Sequence, residues 1–189
     1  MNKTDKYYKK NCEKYIASTS LLDMNTQYDF FLKHFKGTKI LDIGFGSGRD
    51  LKFFSQYYDV LGIDVIDEFV LRCKNYNVLK LSVLDMEFEN SFDGIWACAS
   101  LLHIESKNLN SAFKNISRAL KDNGILYCSF KYGDFQGLRD NRYYIDLTEE
   151  SILNYLKDTS LKIIDTLISV DVRNDSNQKW LNVIMKKEK

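Results

Sequence analysis

The run Ile40-Leu41-Asp42-Ile43-Gly44-Phe45-Gly46-Ser47-Gly48-Arg49-Asp50 constrains the fold of this chain more than any other stretch. Lys39–Ile43 is short, apolar and β-branched, which suits a buried strand. It meets a G-x-G-x-G turn, and a helical pattern through Leu51, Phe54 and Tyr58 follows without a break. Glycines let a backbone turn sharply and come close to a ligand, and the helix that opens there presents unpaired N–H groups. Strand, glycine turn and helix in this order form the first unit of an α/β protein.

The remainder keeps the alternation. Strands are expected at 60–63, 77–81, 92–99 and 124–130. Helices are expected at 69–74 and through Leu109, Ala112, Phe113, Ile116 and Leu120, the second stopped by Lys121-Asp122-Asn123-Gly124. Ahead of the first strand, Tyr8, Cys12, Tyr15 and Ile16 share one helical face, and Met24, Tyr28, Phe31, Leu32 and Phe35 share another. Towards the end, Thr148 is placed to cap a last helix, with Glu149 and Glu150 suited to its N-terminal dipole. Two final strands, 162–172 and 179–185, are separated by the polar turn Asn174-Asp175-Ser176-Asn177. Strands alternating with helices make a parallel sheet covered on both faces. The closing pair has too short a link for a helical crossover and must be antiparallel.

Ligand chemistry enters through two carboxylates. Asp42 stands two residues before the first glycine, and Asp64 ends the next strand, where a carboxylate can accept hydrogen bonds from both hydroxyls of a ribose. Dinucleotide-binding turns read G-x-G-x-x-G and lie against a pyrophosphate. A carboxylate at position 42 would repel that group and favour an ammonium.

Composition narrows the class. With 189 residues, 44% hydrophobic and 14% aromatic, the chain can build a sizeable core in one domain. Net charge is +1, which argues against a general nucleic-acid binder. Cys12, Cys73, Cys98 and Cys128 show no zinc spacing and read as small buried hydrophobes in a reducing compartment, so no metal site is expected. The segment MNKTDKYYKKNCEKY lacks the apolar core of a secretion signal, and no run approaches the roughly 18 apolar residues of a membrane span. A soluble cytoplasmic protein is expected.

As a set, these motifs resemble the class I S-adenosylmethionine-dependent methyltransferases. Residues 40–50 resemble that family's first signature, Asp64 its ribose-binding acid, and Asp85 in Ser82-Val83-Leu84-Asp85-Met86 the acid that meets the adenine amino group, with Met86 donating a backbone N–H. The run Phe92-Asp93-Gly94-Ile95-Trp96-Ala97-Cys98-Ala99-Ser100-Leu101-Leu102-His103 is similar to the fourth strand and the loop beneath the reactive sulfonium, and Leu120–Leu126 to the turn into the fifth strand. Within the family, the pieces from Trp96 to His103, Ser129 to Gly133, Arg142 to Tyr144 and Trp180 to Ile184 are similar to small bacterial tellurite-resistance-like methyltransferases. Phe45 departs from the Cys or Ala of many relatives. The resemblance implies a Rossmann-like, doubly wound seven-stranded sheet, mostly parallel with an antiparallel C-terminal strand and helices on both faces. It implies one domain over 1–189, with a helical cap at 1–36, a cofactor-binding core at 37–131, and an acceptor-side loop, helix and closing strands at 132–189.

The resemblance further implies S-adenosyl-L-methionine as cofactor and S-adenosyl-L-homocysteine as product. Its site would be Asp42, Gly44, Phe45, Gly46, Ser47, Gly48, Arg49, Asp64, Val65, Ile66, Asp85, Met86, Ala99, Ser100 and Leu101. His103 is the candidate general base or pocket-wall residue, and Tyr15, His103, Lys131, Arg142 and Tyr143 the candidate acceptor contacts. Lys131, Arg139 and Arg142 suit an anionic acceptor or surface pairing with Asp134, Asp140 and Asp146. Cys98 lacks the preceding proline of cytosine-C5 enzymes and reads as a strand residue; Trp180 reads as core. Residues 132–147 read as a long, cap-forming connection. The expected activity is methyl transfer to a small acceptor (a chalcogen, a thiol, or an oxygen or nitrogen of a metabolite) by a monomer or homodimer. The alternatives are RNA or protein methylation and a non-catalytic cofactor-binding module.

Overall fold

The computed structural model describes residues 2–173 and 176–189. Three short helices lead in, α1 (Lys3–Lys10), α2 (Cys12–Thr19) and α3 (Asn25–Leu32). Next come β1 (Lys39–Ile43), α4 (Arg49–Phe54), β2 (Asp59–Asp64), α5 (Asp67–Arg72), β3 (Val78–Lys80), β4 (Phe92–Ala97), α6 (Ser106–Ala119) and β5 (Leu120–Lys131). A hairpin of β6 (Gln136–Arg139) and β7 (Arg142–Ile145) precedes the closing strands β8 (Leu161–Val170) and β9 (Lys179–Lys187).

The seven-stranded sheet runs β3-β2-β1-β4-β5-β9-β8. Strands β1 to β5 pair in parallel, and β9 is antiparallel to both β5 and β8. This is the Rossmann-like, doubly wound arrangement that the resemblance implies. Chain order reverses between β1 and β4, so a crevice opens at their carboxyl ends, the place where open α/β sheets take ligands.

Strand periodicity of two assigns the core. Leu41, Ile95, Leu126 and Cys128 point to the face covered by α6, while Ile40, Trp96 and Tyr127 point to the face covered by α2 to α5. Trp96 is fully buried, stacks on Tyr127 at 3.9 Å, and donates its indole N–H to Asp50 at 2.9 Å. Tyr28 O–H and the Arg49 guanidinium also donate to Asp50, so this buried carboxylate is saturated and ties α3, α4 and β4 together.

Several expectations need correction. Tyr8 and Tyr15 lie on two helices, not one, because the backbone breaks at Asn11 (φ −111°, ψ 19°); their rings still meet edge to face at 5.1 Å. The fourth strand stops at Ala97 rather than residue 99, and the helix expected to reach Leu120 ends at Ala119, since Leu120 already pairs with Phe92. The helix expected after Thr148 is a single 3₁₀ turn, Ser151–Tyr155. Its N-cap position is Glu150 and not Thr148, although the Thr148 hydroxyl accepts from the Ser151 N–H at 3.2 Å, and the Asn110 side chain takes the carbonyls of Tyr155 and Lys157 and ends it. Residues 132–147 hold the β6–β7 hairpin in place of an irregular connection. Asp140 and Asn141 make the turn at φ 48° and 64°, a left-handed geometry that Asp and Asn tolerate. Of the polar turn expected at 174–177, Asn174 and Asp175 lie outside the described residues. No helix among the described residues is long and apolar enough to cross a membrane.

Candidate active site

Two cavities flank the carboxyl ends of β1 and β4. The first, about 480 Å³, is bounded by Gly44, Asp64, Val65, Ser82, Ser100, Leu101 and His103, with Asn2, Thr4 and Asp5 of the N-terminus at its rim. The second, about 190 Å³, is bounded by Tyr8, Tyr15, Arg49, Ala99, Leu102, His103, Lys131, Arg142, Tyr144 and Trp180. His103 lines both, and the segment 99–103 is their common wall.

The glycine turn is held from several sides. Gly44, Gly46 and Gly48 take φ of 70°, 50° and 78°, a region glycine enters without strain. A Cβ on Gly44 would come within 2.5 Å of the Ser100 Cβ, so a glycine is needed there for β1 and the segment after β4 to approach. The Gly46 N–H donates to Asp64 Oδ2 at 3.0 Å and the Ile66 N–H to Oδ1 at 2.9 Å, which fixes the carboxylate at the rim of the first cavity with further lone pairs open. Burial raises Asp64 to about 6 against the lowering effect of these N–H donors.

Asp42 is buried at the end of β1, and its Oδ2 has no hydrogen-bond partner among the described residues. Burial, then the charge of Asp50, holds it well above the usual carboxylate range. A buried carboxylate oxygen without a donor is costly, and an ammonium brought against it supplies both donor and counter-charge. Ser100 Oγ on the wall of the first cavity is likewise unpartnered. The unpartnered Ser100 hydroxyl, the glycine cradle and the Asp64 rim fit an aminoacyl nucleoside such as S-adenosylmethionine.

The cofactor residues named from the sequence divide accordingly. Gly44, Asp64, Val65, Ser100 and Leu101 line the first cavity, and Arg49 and Ala99 the second. Gly46 and Ile66 act through their N–H groups on Asp64. Asp42, Phe45, Ser47, Gly48, Asp85 and Met86 line neither cavity. Phe45 packs in the core beside Gly62, Met86 is buried in the other core face, and Asp85 is exposed.

On the acceptor side, Tyr15, His103, Lys131 and Arg142 converge on the second cavity. Tyr143, expected among the acceptor contacts, lines neither cavity: its carbonyl accepts from His103 Nδ1 at 2.7 Å, its N–H donates to Thr4 Oγ1 at 2.8 Å, and its hydroxyl accepts from the Ser106 N–H. Because a carbonyl only accepts, the His103 proton sits on Nδ1, and Nε2 accepts from the Tyr8 hydroxyl at 2.8 Å. Burial pushes His103 down to about 4, so the ring is neutral at physiological pH. Ala99 holds φ 49°, strained for a residue with a Cβ, and its N–H donates to Ser129 Oγ at 2.8 Å.

Some site members were underrated in the sequence. By pattern Tyr8 is one of four residues on a helical face, yet its hydroxyl reaches His103; nothing local marks which face of a short helix meets a loop 95 residues away. Trp180 lines the second cavity and is only partly buried, its indole N–H donating to Asp171 at 3.2 Å, so it is not simply core. Arg139 makes the pairing offered by its surface reading, a two-pronged ion pair with Asp146 at 2.8 and 2.9 Å. Cys98 lines the second cavity, and burial pushes its thiol up to about 12, which keeps it protonated and unsuited to attack.

Residues 41–128, from β1 into β5, match the family model described as a methyltransferase domain. Among curated proteins, the phosphoethanolamine N-methyltransferase of Plasmodium falciparum is 27% identical over 161 residues, covering 76% of this chain and 59% of that protein. The chain therefore spans about three-fifths of that relative's length. Among solved structures, a 1,6-didemethyltoxoflavin-N1-methyltransferase from Burkholderia thailandensis, with bound 1,6-didemethyltoxoflavin and S-adenosylhomocysteine, superposes with a TM-score of 0.79 at 17% identity, covering 98% of this chain and 87% of that one. An S-adenosylmethionine-dependent methyltransferase from Methanosarcina mazei gives 0.74 at 19% identity over 85% and 98% of the two chains. The N-methyltransferase NodS from Bradyrhizobium japonicum, in complex with S-adenosylhomocysteine, gives 0.75 at 15% identity over 95% and 98%. Over residues 41–128 the chain thus matches a methyltransferase domain, and its fold is the one shared by the S-adenosylmethionine-dependent methyltransferases it superposes on.

Proposed function

We propose that this chain, built around a methyltransferase domain, transfers the methyl group of S-adenosylmethionine to a small acceptor held in the second cavity. The observation that carries the reading is the shared wall 99–103, where groups held in the two cavities would meet beside His103. When bound, S-adenosylmethionine supplies a methyl group on a positively charged sulfur, open to direct displacement. Asp64 would face its ribose hydroxyls, with Gly44 and Ser100 against the nucleoside. A small acceptor is supported by the 190 Å³ size of the second cavity and by the small acceptor named for the Plasmodium relative.

The residues of the chain do two things for such a transfer. Tyr8, Tyr15, Leu102, Tyr144 and Trp180 enclose the acceptor, exclude water and restrict its approach, and positioning of this kind supplies much of the acceleration in a displacement. His103, held neutral with its proton on Nδ1, offers Nε2 to a proton leaving the acceptor, directly or through the Tyr8 hydroxyl that now occupies it.

The test is turnover, followed as S-adenosylhomocysteine formed from S-adenosylmethionine in a mixture of small metabolites. Turnover is expected in the wild type, and His103→Gln should lower it by about a hundredfold or more while S-adenosylhomocysteine affinity changes little. Failure of the wild type to bind S-adenosylhomocysteine in calorimetry would overturn the reading. Full turnover in His103→Gln would remove the proton-accepting role alone.

A further inference from the structure

Five cations lie in or beside the second cavity, and they differ in one respect. Arg49 is satisfied by Asp50 at 2.7 and 2.8 Å, Arg139 by Asp146, and Arg173 by a two-pronged pair with Asp171. Lys131 and Arg142 form no ion pair among the described residues. They rest instead on aromatic faces: Lys131 Nζ is 4.6 Å from the centre of the Tyr144 ring, and the Arg142 guanidinium is 4.5 Å from that of Tyr7 and 5.3 Å from that of Tyr144. Arg142 Nε is buried with no hydrogen-bond partner among the described residues. The single carboxylate on the cavity wall among the described residues, Asp171, is already shared between Arg173 and the Trp180 indole.

We propose that Lys131 and Arg142 form an oxyanion clamp, and that the methyl acceptor is a small molecule carrying a phosphate or a carboxylate. The proposal rests on reading the second cavity as the acceptor's. Two half-buried cations resting on one tyrosine ring, with no ion-paired carboxylate among the described residues, are an unfavourable arrangement that a bound anion relieves. Burial and the neighbouring Arg139 charge also lower the Lys131 ammonium. An oxyanion supplies the acceptor that Arg142 Nε lacks, and guanidinium geometry suits both phosphate and carboxylate.

The clamp also sets the length of the acceptor. Tyr144, on which both cations rest, has its ring centre 4.8 Å from that of His103. An anion held at Lys131 and Arg142 is therefore about one aromatic ring away from the wall that the two cavities share. The acceptor's nucleophile and its anionic group must be separated by only a short chain.

Binding of simple anions tests this without knowing the acceptor. Inorganic phosphate and, separately, acetate are titrated into the protein at constant ionic strength, and S-adenosylhomocysteine affinity is measured by calorimetry on the same samples. Saturable binding of either anion is expected, weakened about tenfold or more in Lys131→Met and in Arg142→Gln, as for loss of a charge-assisted hydrogen bond. Phosphate saturating alone identifies a phosphorylated acceptor, acetate alone a carboxylated one. Absence of saturation by both anions in the millimolar range, or binding indifferent to the substitutions, overturns the clamp. If S-adenosylhomocysteine still binds in that case, the methyl-transfer reading stands without it. Anion binding in a protein that does not bind S-adenosylhomocysteine overturns the acceptor proposal together with the reading beneath it. If Arg142→Gln does not fold, Lys131→Met decides the question alone.

Discussion

The two cavities are neighbours, but they are built in opposite ways. The first is made by backbone: a glycine turn, two N–H groups bonded to Asp64, and the ends of adjacent parallel strands within residues 43–108, apart from the N-terminal rim. The second is made by side chains from distant segments, with Tyr8 and Tyr15 from the leading helices, Lys131 from β5, Arg142 and Tyr144 from β7, and Trp180 from β9. A backbone-built site depends on a local pattern of glycines and strand ends and can serve one invariant ligand. A site built of side chains on later-docking elements can be changed by substitution without disturbing the sheet, which suits the choice of acceptor.

The sharpest contrast between the two regions is in their response to pH. On the first side, burial gives Asp64 a folded value of about 6 against an ordinary 3.8, so the folded state holds this proton more tightly. Its contribution to stability is fully present below about 4 and is lost as pH rises through about 6. On the shared wall, burial gives His103 a folded value of about 4 against 6.5, so the unfolded state holds that proton more tightly. Its contribution is present above about 6.5 and is lost as pH falls towards 4. Each amounts to on the order of 3 kcal/mol. Denaturant unfolding from pH 7 to pH 4 should therefore show Asp64→Asn losing stability relative to wild type as pH falls, and His103→Gln gaining it. Parallel trends in the two variants would break the contrast.

The next effect is on ligand affinity. Asp64→Ala should weaken S-adenosylhomocysteine binding by about tenfold to a hundredfold, the loss of charge-assisted hydrogen bonds, while phosphate or acetate binding at the other cavity is untouched. Equal loss of both would mean that the cavities are coupled through Gly46 and the Tyr15 ring beside it.

The smallest effect concerns the join between the N-terminal segment and the hairpin. Thr4→Val removes the acceptor of the Tyr143 N–H, at a cost of about 1 kcal/mol. Hydrogen exchange at the Tyr143 amide should quicken, with little change in β1 and β4. Unchanged exchange there would show that the hairpin holds without α1.

The core of the sheet was legible because parallel strands buried on both faces leave continuous apolar runs, as at Lys39–Ile43, which the structure matches residue for residue. The hairpin of β6 and β7 was not read, although Asp140-Asn141 between Leu138 and Tyr143 is a turn signal; charged and glycine-rich flanks hid the alternation. The helix after Thr148 was over-read, because a cap and a dipole are local signals and the carbonyls that Asn110 captures are a tertiary event.

By itself the sequence determined the α/β alternation, the glycine turn with Asp42 and Asp64, and the antiparallel closing strands, since each depends on residues adjacent in the chain or on strand periodicity. Only the tertiary structure decided that Tyr8 meets His103, that the imidazole proton sits on Nδ1, that Arg139 is neutralised by Asp146, and that Lys131 and Arg142 are not paired among the described residues. Most of those outcomes depend on distances between segments far apart in the chain, up to 95 residues as between Tyr8 and His103. Burial and charge pairing at such distances are set by packing, on which local sequence pattern carries no information.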